Sequence, residues 1–217
     1  MSDSVFDPQC RACGRLVSFL NAERRVFPAY HNGPVAPFGD PSARFLVVGL
    51  APGFHGANAT GRPFTGDHAG IILYETLHRF GFASKPISTS RDDGLVLTNC
   101  RITNSVKCVP PQNKPLPGEI RTCNKFLAAE LNTLPERAII LALGVVAHEA
   151  TLTAFGLPYL RYKFAHGNEH PLPNGMTLID SFHTSRYNTQ TRRLTPDMFT
   201  AVFERVMALL KQETARA

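Results

Sequence analysis

Charged residues are scarce in this chain of 217 residues: they make up 18% of it, against 43% for hydrophobic residues. This balance excludes a disordered acidic or basic tail, because such tails have many charges and few apolar side chains. The chain also lacks an apolar run of the ~20 residues that cross a bilayer, and its first twenty residues lack an apolar secretory core. We therefore expect a folded cytoplasmic protein without a membrane partner.

Internal repeats, coiled-coil heptads and low-complexity linkers are also missing from the sequence. The length suits one hydrophobic core, so we expect a single domain over residues 1–217 that works as a monomer. The net charge is +6, since 23 basic residues exceed 17 acidic ones. That surplus is compatible with a polyanionic partner but does not require one.

Short apolar runs alternate with amphipathic segments along the chain. We predict strands over residues 44–50, 95–99, 138–143 and 176–182, and helices over 67–80, 118–134, 144–155 and 196–211. Such alternation is typical of a three-layer α/β/α sandwich around a mainly parallel sheet. Ligands of open parallel sheets bind beyond the carboxyl ends of the strands, so the segments that follow each strand are the candidate site.

Five cysteines are an odd number in a chain without an export signal, which argues against a disulfide framework. Four of them have the spacing of a metal site: Cys10, Cys13, Cys108 and Cys123. The first two form a CxxC pair, and the other two bracket a proline-rich loop. This spacing fits a zinc ion and an iron–sulfur cluster equally well, and unligated reduced thiols are a third alternative. We predict that Cys100 is a small buried apolar residue instead.

A glycine-rich loop, GLAPGFHGANATGRPFTGD, extends from Gly49 to Asp67 after the first predicted strand. Glycines at this density let the backbone bend sharply and approach a ligand closely. The loop has neither the GK[ST] ending of a P-loop nor the glycine spacing of a dinucleotide fingerprint. Near its end, Phe64 and Asp67 can stack on a planar ring and place a carboxylate beside it. Taken alone, this pair is better explained as a core phenylalanine and a helix cap.

Polar residues also collect after other predicted strands. Residues 181–195 read SFHTSRYNTQTRRLT, in which hydroxyls, amides and three arginines surround His183. Such groups contact DNA phosphates, although a solvated loop with a structural histidine is the alternative. Asn104 precedes Cys108 and can read a base edge through its amide donor and acceptor, unless it is a turn asparagine.

Two enzyme motifs fail on inspection. His148 begins HEATL, which lacks the second histidine of a zinc metalloprotease. We predict that His148 is a surface or packing residue. Cysteine–histidine catalysis has no support either, because most of the cysteines are better explained as ligands.

The chain resembles family 5 of the uracil-DNA glycosylase superfamily, the iron–sulfur-containing bacterial and archaeal type. The resemblance covers nearly the whole chain and rests on residues 49–67, 102–108 and 183–195, with the four cysteines in the family's order. It implies a base-excision repair enzyme, associated with the nucleoid, that flips uracil out of double- or single-stranded DNA and hydrolyses its N-glycosidic bond. It also implies action on other deaminated bases such as hypoxanthine, and a 4Fe-4S cluster that ties down the N-terminal segment.

Site residues follow from the same resemblance. Asp67 and His183 are the expected catalytic pair, with the imidazole facing the uracil O2. The residues expected to bind the base are Gly49, Leu50, Phe64 and Asn104, and those expected to contact DNA are Ser185, Arg186, Tyr187 and Thr191. Leu50 stands where family 4 has an acidic residue, as is typical of family 5. The chain departs from the usual motifs at Ala59, Thr184 and Tyr187, which leaves its contacts with DNA less defined than its chemistry.

Two other functions fit parts of the pattern. A non-catalytic nucleic-acid-binding module, stabilised by a metal or cluster, explains the positive charge but not the placement of Phe64 beside Asp67. An enzyme that acts on free nucleotides predicts no preference for DNA, so competition by duplex DNA separates it from a glycosylase.

Overall fold

The computed structural model describes residues 5–214, in which six strands form one sheet. The strands are β1 (Phe38–Gly39), β2 (Phe45–Gly49), β3 (Cys100–Asn104), β4 (Ile139–Leu143), β5 (Glu169–Pro171) and β6 (Thr177–Ser181). Their order in the sheet is β1-β3-β2-β4-β6-β5. The four central strands are parallel, and β1 and β5 pair antiparallel at the two edges. The predicted mainly parallel sheet is confirmed.

Helices cover both faces of this sheet. They are α1 (Gly14–Val26), α2 (Ala57–Thr60), α3 (His68–Arg79), α4 (Pro117–Leu131), α5 (Val145–Ala154), α6 (Arg186–Gln190) and α7 (Pro196–Thr214). Phe45 and Val47 of β2 pack in a core with α3 and α7, whereas Leu46 and Val48 pack with α4 and α5. Strands that are buried on both faces are apolar throughout, which explains the continuous hydrophobic runs in the sequence. The predicted three-layer α/β/α sandwich is confirmed. No helix of the described residues is long and apolar enough to span a bilayer.

The strand predicted over residues 95–99 is wrong, because the strand next to β2 is Cys100–Asn104. Leu95 and Leu97 are buried against the core, but Asn99 has a φ of 49°, which ends any extended run before β3 begins. Arg101 makes β3 look unsuitable for the interior of a sheet. Its charge is compensated, since its Nε donates to the buried Glu130 carboxylate at 2.6 Å.

A buried charged hub joins α5, β5 and β6. His148 Nδ1 lies 2.8 Å from Asp180 Oδ1, and His170 Nε2 lies 3.0 Å from Asp180 Oδ2. The other ring nitrogen of His148 lies 2.9 Å from the Tyr162 carbonyl oxygen. Both partners of His148 are oxygen atoms that accept hydrogen bonds. Both ring nitrogens therefore carry a hydrogen and donate it, which makes the ring an imidazolium. His148 is therefore a packing residue and not a surface one.

The hub predicts a stability that depends on pH. Burial lowers the pKa of His148, but the hydrogen bond and charge of Asp180 outweigh burial and raise it above its ordinary value. This stabilisation is complete below the unfolded pKa of about 6.5 and is lost as pH rises through the folded pKa. We expect Asp180→Asn to lower the free energy of unfolding at pH 6 by about 3–5 kcal/mol, and by less at pH 9. Urea unfolding at both pH values checks this, and an equal loss at the two contradicts it.

Candidate active site

A cavity of about 420 Å³ opens at the carboxyl ends of the parallel strands. Seven of the residues expected from the sequence line it: Leu50, Phe64, Asp67, Asn104, His183, Ser185 and Arg186. They come from the ends of β2, β3 and β6, from the glycine-rich loop and from the start of α6. The sheet therefore brings together side chains that are far apart in the sequence, at the place where open parallel sheets bind ligands.

Phe64 lies against this cavity with a backbone that few residues other than glycine adopt. Its φ is 54°, and its ring is 6% exposed. Gly70 makes room for this turn, since a Cβ there would lie 1.8 Å from the Phe64 carbonyl oxygen. Tyr74 fixes it further by donating a hydrogen bond from its hydroxyl to Pro63 O at 2.9 Å. A strained, over-determined conformation of this kind is typical of a binding site.

A network of polar side chains braces the same turn from its other side. The buried Arg62 donates to Asp93 Oδ1 at 2.7 Å and to Ser88 Oγ at 3.0 Å, and its guanidinium lies 4.3 Å from the centroid of the Phe38 ring. Ser88 also bonds the Thr65 hydroxyl at 2.7 Å. The Arg62 pair and three backbone N–H groups hold the pKa of Asp93 well below its ordinary value, although burial opposes them. Phe64 is therefore a rigid platform.

Asn104 ends β3 beside Gly49, the last residue of β2. Its side chain is 3% exposed, and its Oδ1 has no hydrogen-bond partner among the described residues. A Cβ at Gly49 would lie 2.4 Å from that oxygen and 2.6 Å from the Phe64 ring, so only glycine permits this approach. Because residue 49 has no side chain, the Phe64 ring and the Asn104 amide can both lie against its backbone. A buried amide without a partner costs free energy unless a ligand or water satisfies it.

Asp67 is the N-cap residue of α3, as predicted from the sequence. Its Oδ1 accepts a hydrogen bond from Gly70 N at 3.0 Å. Its Oδ2 lies close to the backbone of the glycine-rich loop, since a Cβ at Gly56 would lie only 2.6 Å away. Burial raises the pKa of Asp67 above its ordinary value, although backbone N–H groups of α3 oppose the shift. Capping and lining the cavity are therefore both roles of this carboxylate.

His183 follows β6 on the opposite side of the cavity, with its ring centroid 6.1 Å from that of Phe64. Burial lowers the pKa of His183 to about 4, so its imidazole is neutral at physiological pH. Its ring nitrogens make no hydrogen bond with any residue in the described part of the chain. Asn188 fixes the backbone instead, by donating from Nδ2 to His183 O at 2.7 Å. A neutral imidazole held in this way has one N–H to offer a ligand.

The residues expected to contact DNA surround α6. Ser185 caps this helix by accepting from Asn188 N, and Arg186 extends over the cavity. Tyr187 is 69% exposed, and Thr191 donates its hydroxyl hydrogen to the Tyr187 carbonyl oxygen at 2.7 Å. Neither Tyr187 nor Thr191 lines the cavity. Tyr187 belongs to the same helix as Arg186, which does line it, and Thr191 is the C-cap of that helix.

Comparison with known proteins identifies the family of this chain. The family model for the uracil DNA glycosylase superfamily matches residues 36–206. The chain belongs to this superfamily. It is 49% identical over 198 residues to the Type-5 uracil-DNA glycosylase of Thermus thermophilus, with 89% of this chain and 90% of that protein covered. It is also 42% identical over 211 residues to a Type-5 uracil-DNA glycosylase of Mycobacterium bovis, with 92% of this chain and 78% of that protein covered. The crystal structure of Pedobacter heparinus SMUG2 aligns with 99% of this chain and 93% of that one at 14% identity, with a TM-score of 0.48.

Two further polar residues that line this cavity were not predicted from the sequence. His68 lines the cavity next to Asp67, and its Nε2 lies 2.9 Å from Thr189 Oγ1 on α6. Asn113 reaches the cavity from the loop between Cys108 and Cys123, where Gln112 and Asn113 both have positive φ values. Their participation depends on how distant loops meet, and no local sequence signal reveals it.

Four cysteines meet in a small apolar cluster. Cys10, Cys13, Cys108 and Cys123 line one pocket, with Leu16, Val106 and Phe126 packed around them. Burial and the neighbouring thiols raise the pKa of Cys108 to about 12. The Lys107 N–H donates to Cys123 Sγ at 3.2 Å. Helix α1 brings Leu16 to this cluster and places Arg15 2.7 Å from Glu119 of α4.

Proposed function

We propose that the protein removes uracil from DNA by hydrolysing its N-glycosidic bond, which leaves an abasic site. The observation that best supports this is the buried, unpartnered Asn104 amide beside the Phe64 ring, in one cavity with Asp67 and His183. A flipped base needs a stacking face and a donor–acceptor pair for its edge, and the cavity supplies both. Uracil release from a duplex with one uracil tests the proposal, and a protein inactive on every uracil-containing DNA contradicts it.

The reaction separates charge in a way that the cavity can stabilise. The bond between the sugar C1′ and the base N1 breaks, and its electron pair leaves with the base. The sugar becomes positive and the uracil negative, with much of that negative charge on O2. Preorganised groups that oppose these developing charges lower the barrier more than groups that bind the uncharged substrate.

Asp67 is the residue we assign to the sugar and the water. Its ionised carboxylate stabilises the positive sugar and orients a water molecule, which bonds to C1′ and gives a proton to the carboxylate. His183 is assigned to the leaving uracil. The low pKa of this histidine keeps its imidazole neutral. The neutral ring donates its one N–H to O2 and stabilises the uracil anion by that hydrogen bond, and the proton stays on the ring because a neutral imidazole is a very weak acid.

Deaminated bases other than uracil are a further part of the proposal. Uracil and hypoxanthine both present a ring N–H beside a carbonyl oxygen, and the Asn104 amide offers an acceptor and a donor for such an edge. The volume of about 420 Å³ exceeds what either base needs. Leu50 adds no polar group that would reject the larger purine. We therefore expect hypoxanthine release as well as uracil release.

DNA engagement is assigned to the rim formed by Ser185, Arg186, Tyr187 and Thr191. An exposed aromatic ring or guanidinium can fill the gap that a flipped nucleotide leaves in the stack. We expect the double variant Arg186→Ala/Tyr187→Ala to flip the uracil less often, because nothing then props the gap open. A fluorescent base opposite the uracil reports flipping, and an unchanged signal contradicts this assignment.

A 4Fe-4S cluster held by the four cysteines is the cofactor we propose. Cys123 is buried and the other three cysteines are partly buried among apolar side chains, where unligated thiolates would be unstable. The Lys107 N–H already donates to the Cys123 sulfur. Among the described residues, no three of the cysteine sulfurs lie within 4.8 Å of one another; the group of three that does so is His148, His170 and Asp180. Sulfurs of a tetrahedral zinc site lie about 3.8 Å apart, so the wider spacing favours a cluster. Bound there, the cluster would tie the segment before α1 to the sheet.

Replacing one ligand tests the cluster. We expect Cys108→Ser to lose iron, sulfide and the visible absorbance of the protein purified without oxygen, and to lower its melting temperature because α1 is no longer held. The matched control is Cys100→Ala, which removes a buried thiol outside the group of four and should keep its iron. Zinc in place of iron in the wild-type protein contradicts the proposal.

A further inference from the structure

A second, larger cavity continues from the first, and most of its length extends beyond the residues assigned to the chemistry above. Its volume is about 740 Å³, and it is an open groove between the outer side of α3 and the segment Pro86–Ser88. Asp67, His68 and Arg186 line both cavities, so a strand whose nucleotide enters the first cavity passes directly along the second. The groove is large enough for a nucleobase with its sugar.

Two isoleucines face each other across this groove, although its lining also includes polar groups such as Ser88 and Arg186. Ile71 of α3 is 55% exposed, and Ile87 of the facing segment is 62% exposed. Single exposed apolar residues are common, but two that line one groove next to a reactive site mark a binding surface. Aliphatic side chains cannot bind phosphate, whereas they pack well against the face of a base.

Glu75 is the charged group of the groove on α3. It lies seven residues after His68, which places it roughly 10 Å further along the helix. Its carboxylate is exposed and makes no hydrogen bond or ion pair with the residues in 5–214. A carboxylate repels DNA phosphates and only accepts hydrogen bonds, so the part of a DNA strand that lies here must present N–H groups.

We propose that this groove binds an unpaired nucleobase next to the flipped uracil in single-stranded DNA, and that Glu75 makes guanine the preferred neighbour. The inference rests on the proposed glycosylase function and names a sequence context for it. Guanine presents its N1–H and N2–H side by side, which matches the two oxygens of a carboxylate. Thymine has one N–H between two carbonyl oxygens, and these would face the carboxylate. Ile71 and Ile87 hold the base without regard to its identity.

Single-stranded oligonucleotides with one uracil test this reading. Guanine, adenine, cytosine or thymine is placed in turn at the first and second positions on either side of the uracil, and kcat/KM is measured for each. We expect guanine at one of these positions to exceed thymine by about tenfold, as for a good bidentate contact to a base. Glu75→Gln should reduce that ratio to less than twofold. The matched control Glu204→Gln, an exposed residue of α7 outside both cavities, should keep the wild-type ratio.

A binding measurement separates this inference from the chemistry. The same oligonucleotides with a stable abasic analogue in place of the uracil should bind more tightly with guanine at that position, and Ile87→Ser should weaken binding to all four neighbours. Equal kcat/KM for guanine and thymine at every position, or a preference that survives in Glu75→Gln, overturns the proposal. No uracil release from any oligonucleotide overturns the glycosylase function itself, and equal binding by all neighbours then removes the groove as well.

Discussion

The Asp67→Asn variant is expected to release uracil about 10²–10⁴ times more slowly than the wild type, which is the usual contribution of a general base. An amide neither accepts a proton from water nor stabilises a positive sugar as a carboxylate does. DNA binding should change little, because the residues that we propose to contact DNA lie on and beside α6 and not at the start of α3. Single-turnover release from a duplex with one uracil gives the rate, and binding to DNA with an abasic analogue gives the affinity.

Asparagine is a stringent replacement at this position because it also caps helices. The bond that Asp67 Oδ1 accepts from Gly70 N can be kept, so the fold and α3 should survive. Asp40→Asn is the matched control, since Asp40 is bonded to Ser42 and lies outside the cavity. Loss of DNA binding in step with activity, or normal uracil release, would remove Asp67 from the chemistry.

The charge of Asp67 also predicts the acid side of the pH profile. Burial raises the pKa of this carboxyl above its ordinary value, and only its ionised form can act. The rate should therefore fall as pH decreases through the raised pKa. If the rate of Asp67→Asn falls with decreasing pH in the same way as the wild-type rate, the fall is caused by a group other than Asp67.

The His183→Ala variant is expected to lose about 10²–10³ in the rate of base release, by comparison with the removal of one oxyanion-hole donor. The N–H of His183 can donate to uracil only if no other group accepts it. The ring nitrogens of His183 have no hydrogen-bond partner among the described residues. His183→Gln should recover part of the loss, because a glutamine amide offers an N–H of similar reach. The measurement is the single-turnover rate for both variants beside their affinity for DNA.

Ionisation of His183 gives this assignment a second test. Its pKa of about 4 keeps the ring neutral above pH 5, so the wild-type rate should show no limb near pH 6.5 from this histidine. His78→Ala is the control variant and should keep the wild-type rate, because His78 lies outside the cavity, where its Nδ1 contacts the Ala83 carbonyl oxygen. A protonated His183 at neutral pH, seen by NMR, would contradict the assignment of a neutral donor.

Most of the sheet could be predicted from the sequence because its strands are buried on both faces. Residues 138–143 form an uninterrupted apolar run, and residues 176–182 contain apolar residues around Asp180; β4 and β6 lie within these two segments. β3 was predicted five residues too early, because a charged residue such as Arg101 is not expected in a buried strand. Only the fold brings Glu130 to that charge. α1 was not predicted, since few of its residues are buried and its packing depends on the cysteine cluster.

The candidate site was predictable where its residues follow strands and share a motif. Phe64, Asp67, Asn104 and His183 were expected there, and all four line one cavity. His68 was missed because its position depends on the approach of α6 to α3. The apolar groove beside Glu75 was missed for the same reason, since its walls come from two segments with no common pattern in the sequence. The roles of the site residues stay predictions.

The most direct test of the account is the release of uracil from a DNA duplex with a single uracil, using protein purified without oxygen and strand cleavage at the abasic site as the readout. The account predicts that the wild-type protein produces abasic sites and that Asp67→Asn, with its iron content and DNA affinity unchanged, produces them about 10²–10⁴ times more slowly. A cluster-loaded wild-type protein that binds DNA but releases neither uracil nor hypoxanthine would contradict it, and would identify a nucleic-acid-binding module instead of a glycosylase.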